Sequence, residues 1–275
     1  MIALGTALAI ASAVAIGGGY TLQHTSASQL LPLTLRRPLH SLALLFRSGR
    51  WTAGFLGGIG GWALYVVALR LAPLSVVQAA SAGGIGVLAV GAGRLRPSER
   101  LGVAAALAGL VLLGLSLGVH TASGRGSVWA VAAWMSLSVA AAGVLARLAP
   151  TAPGLGTAAG LLYAAGDVGT KAAVGGGARL AFVPALLACH GAAFVCLQLA
   201  FQRGGRLSSG GLAVLWTNAL PIAAGTLLFG EALPGGVSGI LRLAAFVVVL
   251  VGAVALSRRA GPGERPLEPV ILLID

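Results

Sequence analysis

Long apolar runs, broken by short polar links that carry arginine, set the pattern of this chain. Nine runs stand out: Ile2–Tyr20, Thr52–Leu69, Leu74–Gly93, Leu101–Val119, Ser127–Ala146, Gly154–Ala173, Leu180–Phe201, Ser208–Phe229 and Val237–Ser257. A helix rises about 1.5 Å per residue, so about 20 apolar residues cross a hydrocarbon core of about 30 Å. Lipid cannot satisfy an irregular backbone, which makes each run a helix. The pattern predicts an all-α polytopic membrane protein with nine transmembrane helices.

Composition agrees. The chain has 275 residues, 57% hydrophobic and 9% charged, with a mean hydropathy of +0.96. Soluble domains carry about a quarter charged residues, so a water-exposed globule is excluded. A net charge of +12 would point to nucleic acid in a soluble chain. Here the basic residues lie between apolar runs, and no nucleic-acid partner is expected. One side collects thirteen arginines: Arg36, Arg37, Arg47, Arg50, Arg94, Arg96, Arg100, Arg147, Arg203, Arg206, Arg258, Arg259 and Arg265. The other collects three, Arg70, Arg125 and Arg179. The positive-inside rule puts the thirteen-charge side in the cytoplasm, with the N-terminus outside and the C-terminal tail inside. No Lys or Arg precedes Arg36, so the first run reads as an uncleaved span and not a signal peptide. Arginine outnumbers lysine 17 to 1, an imbalance associated with GC-rich bacterial genomes, and the bacterial inner membrane is the expected location. Cys189 and Cys196 share one run and form no CxxC pair.

The segment Ser28–Arg47 interrupts the pattern. It is rich in leucine but has Arg36, Arg37, Pro38 and His40 at its middle. Two arginines at mid-bilayer cost several kcal/mol, so it reads as an amphipathic helix on the cytoplasmic face. The alternative is a tenth span, with the N-terminus inside.

The chain also resembles itself. Leu4-Gly5-Thr6-Ala7 recurs as Leu155-Gly156-Thr157-Ala158. Gly93-Arg94-Leu95-Arg96-Pro97 with Gly102 is echoed by Gly230-Glu231-Ala232-Leu233-Pro234 with Gly239. The order is the same in both halves. The expected organisation is a first repeat of four spans (1–119, including the segment 28–47), a connector span (127–146), a second repeat (154–257) and a tail (258–275). An odd connector inverts the second copy, the recurring architecture of secondary transporters.

The run Ala68-Leu69-Arg70-Leu71-Ala72-Pro73-Leu74-Ser75-Val76-Val77-Gln78 and the Gly93 to Gly102 loop with its echo resemble the drug/metabolite transporter superfamily (EamA-like). The nine spans, external N-terminus and basic loop after span one, with the Lys171-bearing segment Ala164–Val174, are similar in layout to its NIPA-like magnesium transporter branch. The resemblance implies a transporter fold and leaves the substrate open.

Chemistry has few places to sit. Asp167 is the only acidic residue inside a run; Glu99, Glu231, Glu264, Glu268 and Asp275 fall in loops or the tail. An intramembrane carboxylate is a functional candidate. Lys171, four residues on, shares its helical face, either as a functional partner or as a structural ion pair. With Arg242 and Gln78 these residues could line an outer vestibule, unless the cations snorkel to headgroups. Nearer the midplane are His190, Trp216, Thr217 and Asn218, with Pro221 interrupting the helix. Tyr20 and Gln23 follow Gly17-Gly18-Gly19, either a hinge or a close-packing site. Gly54/Gly58, Gly57/Gly61 and Gly156/Gly160 are small-residue packing pairs.

No phosphate-binding loop, metal-ligand spacing or catalytic triad is present, so neither an enzyme nor a cofactor or metal site is expected. Magnesium needs carboxylates, and a lone one beside Lys171 argues against it. The expected function is a secondary transporter of a small organic metabolite or drug-like solute, with proton coupling through Asp167. A divalent-cation transporter and a non-transporting scaffold are the alternatives. Expected partners are the solute and the bilayer, with a homodimer left open.

Overall fold

The computed structural model describes residues 1–30, 33, 38–81, 83–115, 124, 126–231 and 236–257. Arg36, Arg37, Arg125, Pro234 and the tail from 258 onward lie outside them. Among the described residues all regular structure is helical: α1 (Ile2–Ala27), α2 (Pro38–Phe46), α3 (Gly49–Leu71), α4 (Leu74–Ser81), α5 (Gly84–Ala92), α6 (Pro97–Leu115), α7 (Val128–Leu148), α8 (Ala152–Ala173), α9 (Val183–Phe201), α10 (Leu212–Phe229) and α11 (Val237–Ser257). A 3₁₀ turn, Gly177–Phe182, leads into α9, and a π turn, Leu207–Gly211, leads into α10.

Seven of these runs are long and apolar enough to cross a bilayer: α1, α3, Leu74–Ala92, α7, Gly177–Phe201, Leu207–Phe229 and Val237–Leu256. The protein is therefore a multi-pass membrane protein. Of the two remaining expected spans, α8 falls short of that apolarity, and Leu101–Val119, which α6 begins, runs on past the described residues. For α8 the reason is its surroundings. Seventeen of its 22 residues are buried, packed by α7, α9 and α10, so protein and not lipid sets its composition. The π turn packs on it as well. The helix α2 has nine residues, about 14 Å of rise, too short to be a tenth span by itself.

Small residues set the helix spacing. An added Cβ on Gly19 would strike the Gly54 backbone, and one on Gly61 would meet Ile16 and the Ser12 carbonyl. A Cβ on Gly18 would meet nothing within 4 Å, whereas Gly17, Gly19, Gly54 and Gly61 thus bring α1 against its neighbours. Gly156 does the same against Ser209, and Gly160 against Ala213 and Trp216. Local caps begin two of the helices. Ser48 accepts from the Trp51 N–H at 3.3 Å at the start of α3, and Thr151 from the Gly154 N–H at 3.3 Å at the start of α8.

The expected Leu74–Gly93 span is described as α4 and α5 on either side of residue 82, and the junction before it is held by charge. α3 ends at Leu71, and α4 begins after Pro73, which has no side-chain acceptor to cap it. Two residues from the second half of the chain supply both caps. Lys171 Nζ donates to the Leu69 and Ala72 carbonyls at 3.1 and 3.2 Å, and Glu231 accepts from the Leu74 and Ser75 N–H groups at 2.9 and 3.2 Å and from the Ser75 hydroxyl. A cation at a helix C-terminus and an anion at an N-terminus each oppose the local dipole. The left-handed Gly230 (φ +63°) turns the chain after α10 so that Glu231, 2% exposed, reaches α4. Gly225 leaves the space that the carboxylate and Ser75 occupy. Arg242, 5% exposed, donates to Thr226 Oγ1 at 2.8 Å and lies within electrostatic reach of Glu231.

Glu231 is thus no peripheral loop acid. Removing it strands two helix-terminal N–H groups and leaves Lys171 and Arg242 without their counter-charge. Glu231→Ala should cost about 3 kcal/mol, read as a lower melting temperature of the detergent-purified protein. Lys171→Ala should cost less, about 1–2 kcal/mol. Melting curves identical to the parent for both variants would contradict the cap assignment.

Candidate functional site

A cavity of about 500 Å³ lies between α1, α3, α4, α8, α9 and α10, within the range of small-molecule sites. Its lining includes Tyr20, Gln78, Asp167, His190 and Asn218 from the sequence-named residues, with Gln23 and Thr217 beside them. Three named residues lie elsewhere. Lys171 caps α3 and lines a separate polar pocket with Arg70 and Arg179. Trp216 packs its Cβ against Gly160, and Arg242 serves the Glu231 junction. The vestibule of Asp167, Lys171, Arg242 and Gln78 therefore does not form. Nor does an Asp167–Lys171 ion pair: the lysine is drawn to the exposed carbonyls at the end of α3, which need a donor more than a carboxylate already supplied with partners.

Asp167 is 5% exposed and held from three directions. Gln78 Nε2 donates to Oδ2 at 3.1 Å and to the Tyr65 hydroxyl at 2.7 Å, and that hydroxyl faces the same carboxylate. His190 Nε2 stands 3.5 Å from Oδ1. The other imidazole nitrogen decides the protonation pattern. Nδ1 lies 2.8 Å from the Leu186 carbonyl, which only accepts, so Nδ1 carries a hydrogen. In a neutral ring Nε2 then has a lone pair facing a carboxylate, and the two repel. One further proton therefore belongs to the pair, on the imidazole or on the acid, and makes it neutral overall. Unpaired, a carboxylate buried at this depth would cost many kcal/mol.

The backbone permits this approach because Gly166 has no side chain: a Cβ there would collide with the His190 ring. Trp62 and Tyr163 flank the imidazole, with ring centroids 5.6 and 5.7 Å away. At the end of the cavity lined by Gln23 and Trp51, Trp51 Nε1 donates to Gln198 at 3.0 Å, and Gln198 Nε2 donates to Gln23 at 2.6 Å. Asn218 Nδ2 donates to the Val214 carbonyl at 2.7 Å, while its Oδ1 is buried with no partner. That oxygen is an unused acceptor in the cavity wall.

Sequence reasoning missed Tyr65, Trp62, Trp51 and Tyr163. The available signal was their spacing: Trp51, Phe55, Trp62 and Tyr65 recur at three-, four- and seven-residue steps along one helix. Among the described residues no three His, Cys, Asp or Glu side chains converge on one point. No family model, curated protein or solved structure matches this chain.

Gly166 gives a test of the pair that leaves both of its members in place. Gly166→Ala should displace the imidazole from Asp167 and abolish the pH dependence of Trp62 emission, taken as the difference from Trp62→Phe. His190→Gln should do the same. A pH response that survives both changes would contradict the arrangement.

Proposed function

We propose that this protein is a secondary transporter that moves a small organic solute across the bacterial inner membrane in exchange for the proton held by Asp167 and His190. The observation that carries the reading is a buried acid–imidazole pair, His190 Nε2 3.5 Å from Asp167 Oδ1, in the wall of a cavity large enough for a small molecule. Intramembrane ionisable groups that face a cavity mark substrate or proton pathways.

The mechanism follows from charge. With its proton the pair is neutral and stable in the membrane. Without it, Asp167 is a carboxylate beside a neutral imidazole, still held by Gln78, and attracts a solute bearing a donor or a positive charge. Solute and proton therefore compete for one carboxylate. Binding releases the proton, so apparent affinity rises with pH.

Alternating access needs interrupted helices near the site. Gln78, Ser81 and Gly84 of the Leu74–Ala92 run line the cavity, and the π turn Leu207–Gly211 precedes α10, which runs unbroken through Pro221. The nine-span count with α6 and α8 included, the external N-terminus and the inverted repeat belong to this proposal. A reciprocal exchange of contacts supports the repeat. Lys171 of α8 bonds the carbonyls where α3 ends, and His24 of α1 bonds Gly204 where α9 ends, 3.1 Å away. The pairs α1–α3 and α8–α9 are also among the most closely packed in the protein. The resemblance to the EamA-like transporters fits this plan. A hydrated magnesium ion is served poorly by one carboxylate whose Oδ1 faces an imidazole.

The test is pH-gradient-driven uptake in proteoliposomes, screened over amino acids, polyamines, nucleosides and cationic drugs. The parent should take up a solute and dissipate the gradient. Asp167→Asn keeps the Gln78 contact, so it should melt normally and carry nothing. Undiminished uptake by Asp167→Asn would overturn the proposal.

A further inference from the structure

Basic residues are scarce on one side of the expected topology, and those that are described gather in one place. By sequence that side carries Arg70, Arg125 and Arg179, against thirteen arginines on the other. Arg125 lies outside the described residues. Arg70 and Arg179 meet Lys171 around a pocket of about 430 Å³, which shares no described lining residue with the Asp167 cavity. Three elements supply them. Arg70 is in the last turn of α3 and Lys171 in the last turn of α8. Gly176 (φ +71°) and Gly177 (φ +62°) then turn the chain, so that Arg179 stands in the 3₁₀ turn ahead of α9.

Helix dipoles explain only part of this gathering. A cation at a helix C-terminus is favourable, which suits Arg70 and Lys171. Arg179 precedes the N-terminus of α9, where the dipole opposes it. The lining does not balance the charge either, since no Asp or Glu is among its described residues. Glu231, the acid within electrostatic reach of Lys171, is 2% exposed and already bonded to Leu74 and Ser75. Like charges brought together repel, so an anion among them relieves that repulsion.

Donors are in place to hold one. Lys171 Nζ has three hydrogens and gives two, to the Leu69 and Ala72 carbonyls. Arg179 is braced by the bond from Nη2 to the Gly126 carbonyl at 2.7 Å, and Arg70 is exposed. A tetrahedral phosphate accepts from several directions at once, and guanidinium forks grip its oxygens in pairs. Arg70 stands at the end of the membrane-crossing run Gly49–Leu71, the level of lipid headgroups and of dissolved ions alike.

We propose that Arg70, Lys171 and Arg179 form a binding site for a phosphate-bearing anion, either a lipid headgroup or free phosphate. The site is separate from the Asp167 cavity and does not depend on transport through it.

Two measurements on the full-length protein distinguish the sources. In neutral detergent, inorganic phosphate is titrated against chloride at matched ionic strength while the melting temperature is followed. In nanodiscs of mixed phosphatidylglycerol and phosphatidylcholine, native mass spectrometry reads the lipid that stays bound. A melting temperature raised by phosphate identifies a dissolved anion; retained phosphatidylglycerol without that rise identifies a headgroup. In the arm that responds, Arg70→Gln and Arg179→Gln should each weaken binding at least about tenfold, the cost of losing a charged hydrogen-bond partner. Arg70 is exposed, so Arg70→Gln should melt as the parent does without ligand. Asp167→Asn should leave binding unchanged, as should Arg203→Gln, a change at an exposed arginine of the thirteen-charge side. No response in either arm overturns the site. A loss in Arg203→Gln equal to that in Arg70→Gln also overturns it, because diffuse attraction then accounts for the binding. Absent solute uptake by the parent sinks the transport proposal and leaves this one standing.

Discussion

A carboxylate inside hydrocarbon has to be neutralised, and the centre of this protein is arranged around that requirement. Asp167 sits on α8, of whose 22 residues 17 are buried. Gln78 and Tyr65 face it from α4 and α3, and His190 from α9. Each partner requires something of its own helix. α9 can approach α8 only because residue 166 is glycine. Gln78 is placed by α4, at the start of the Leu74–Ala92 run, and that start is anchored from outside itself.

The anchor shows why charges of similar appearance serve different ends. Lys171 and Glu231 are both buried or half-buried near one end of the bundle, and both terminate on backbone groups of the α3–α4 junction. Their work is structural: they supply caps that Ala72 and Pro73 cannot. Asp167 is bonded to side chains and has a cavity before it. A charge satisfied by helix termini is fixed in place, whereas one satisfied by a titratable imidazole can exchange its partner. That difference separates the scaffold from the site in this protein.

Much of the fold is legible in the sequence, because lipid imposes a simple rule on apolar runs. Each expected run contains a helix, and Asp167 stands out as the one acid among them. The setting of the Leu74–Ala92 run is less legible: Ser81 to Gly84 reads as ordinary small-residue membrane sequence, and only the tertiary structure brings Gln78, Ser81 and Gly84 to the cavity. The Asp167–Lys171 pairing fails for a related reason. Four-residue spacing brings two side chains to one face, but the carbonyls of Leu69 and Ala72 compete for the lysine, and they come from about a hundred residues away. Glu231 was hidden by its loop position, since only the turn at Gly230 directs it inward. The partners of Asp167 are spread over α3, α4 and α9, so their convergence is a tertiary fact that no local pattern encodes.

The central claim is that His190 holds its Nδ1 hydrogen on the Leu186 carbonyl and turns Nε2 to Asp167. Nitrogen-15 NMR of histidine-labelled protein reads this directly, with the His190 signals identified among the four histidines by their loss in His190→Gln. The account predicts that on raising the pH His190 becomes the Nδ1–H tautomer, and that its Nε2 signal shifts in Asp167→Asn. A neutral His190 with its hydrogen on Nε2, or an Nε2 signal indifferent to Asp167→Asn, would contradict it.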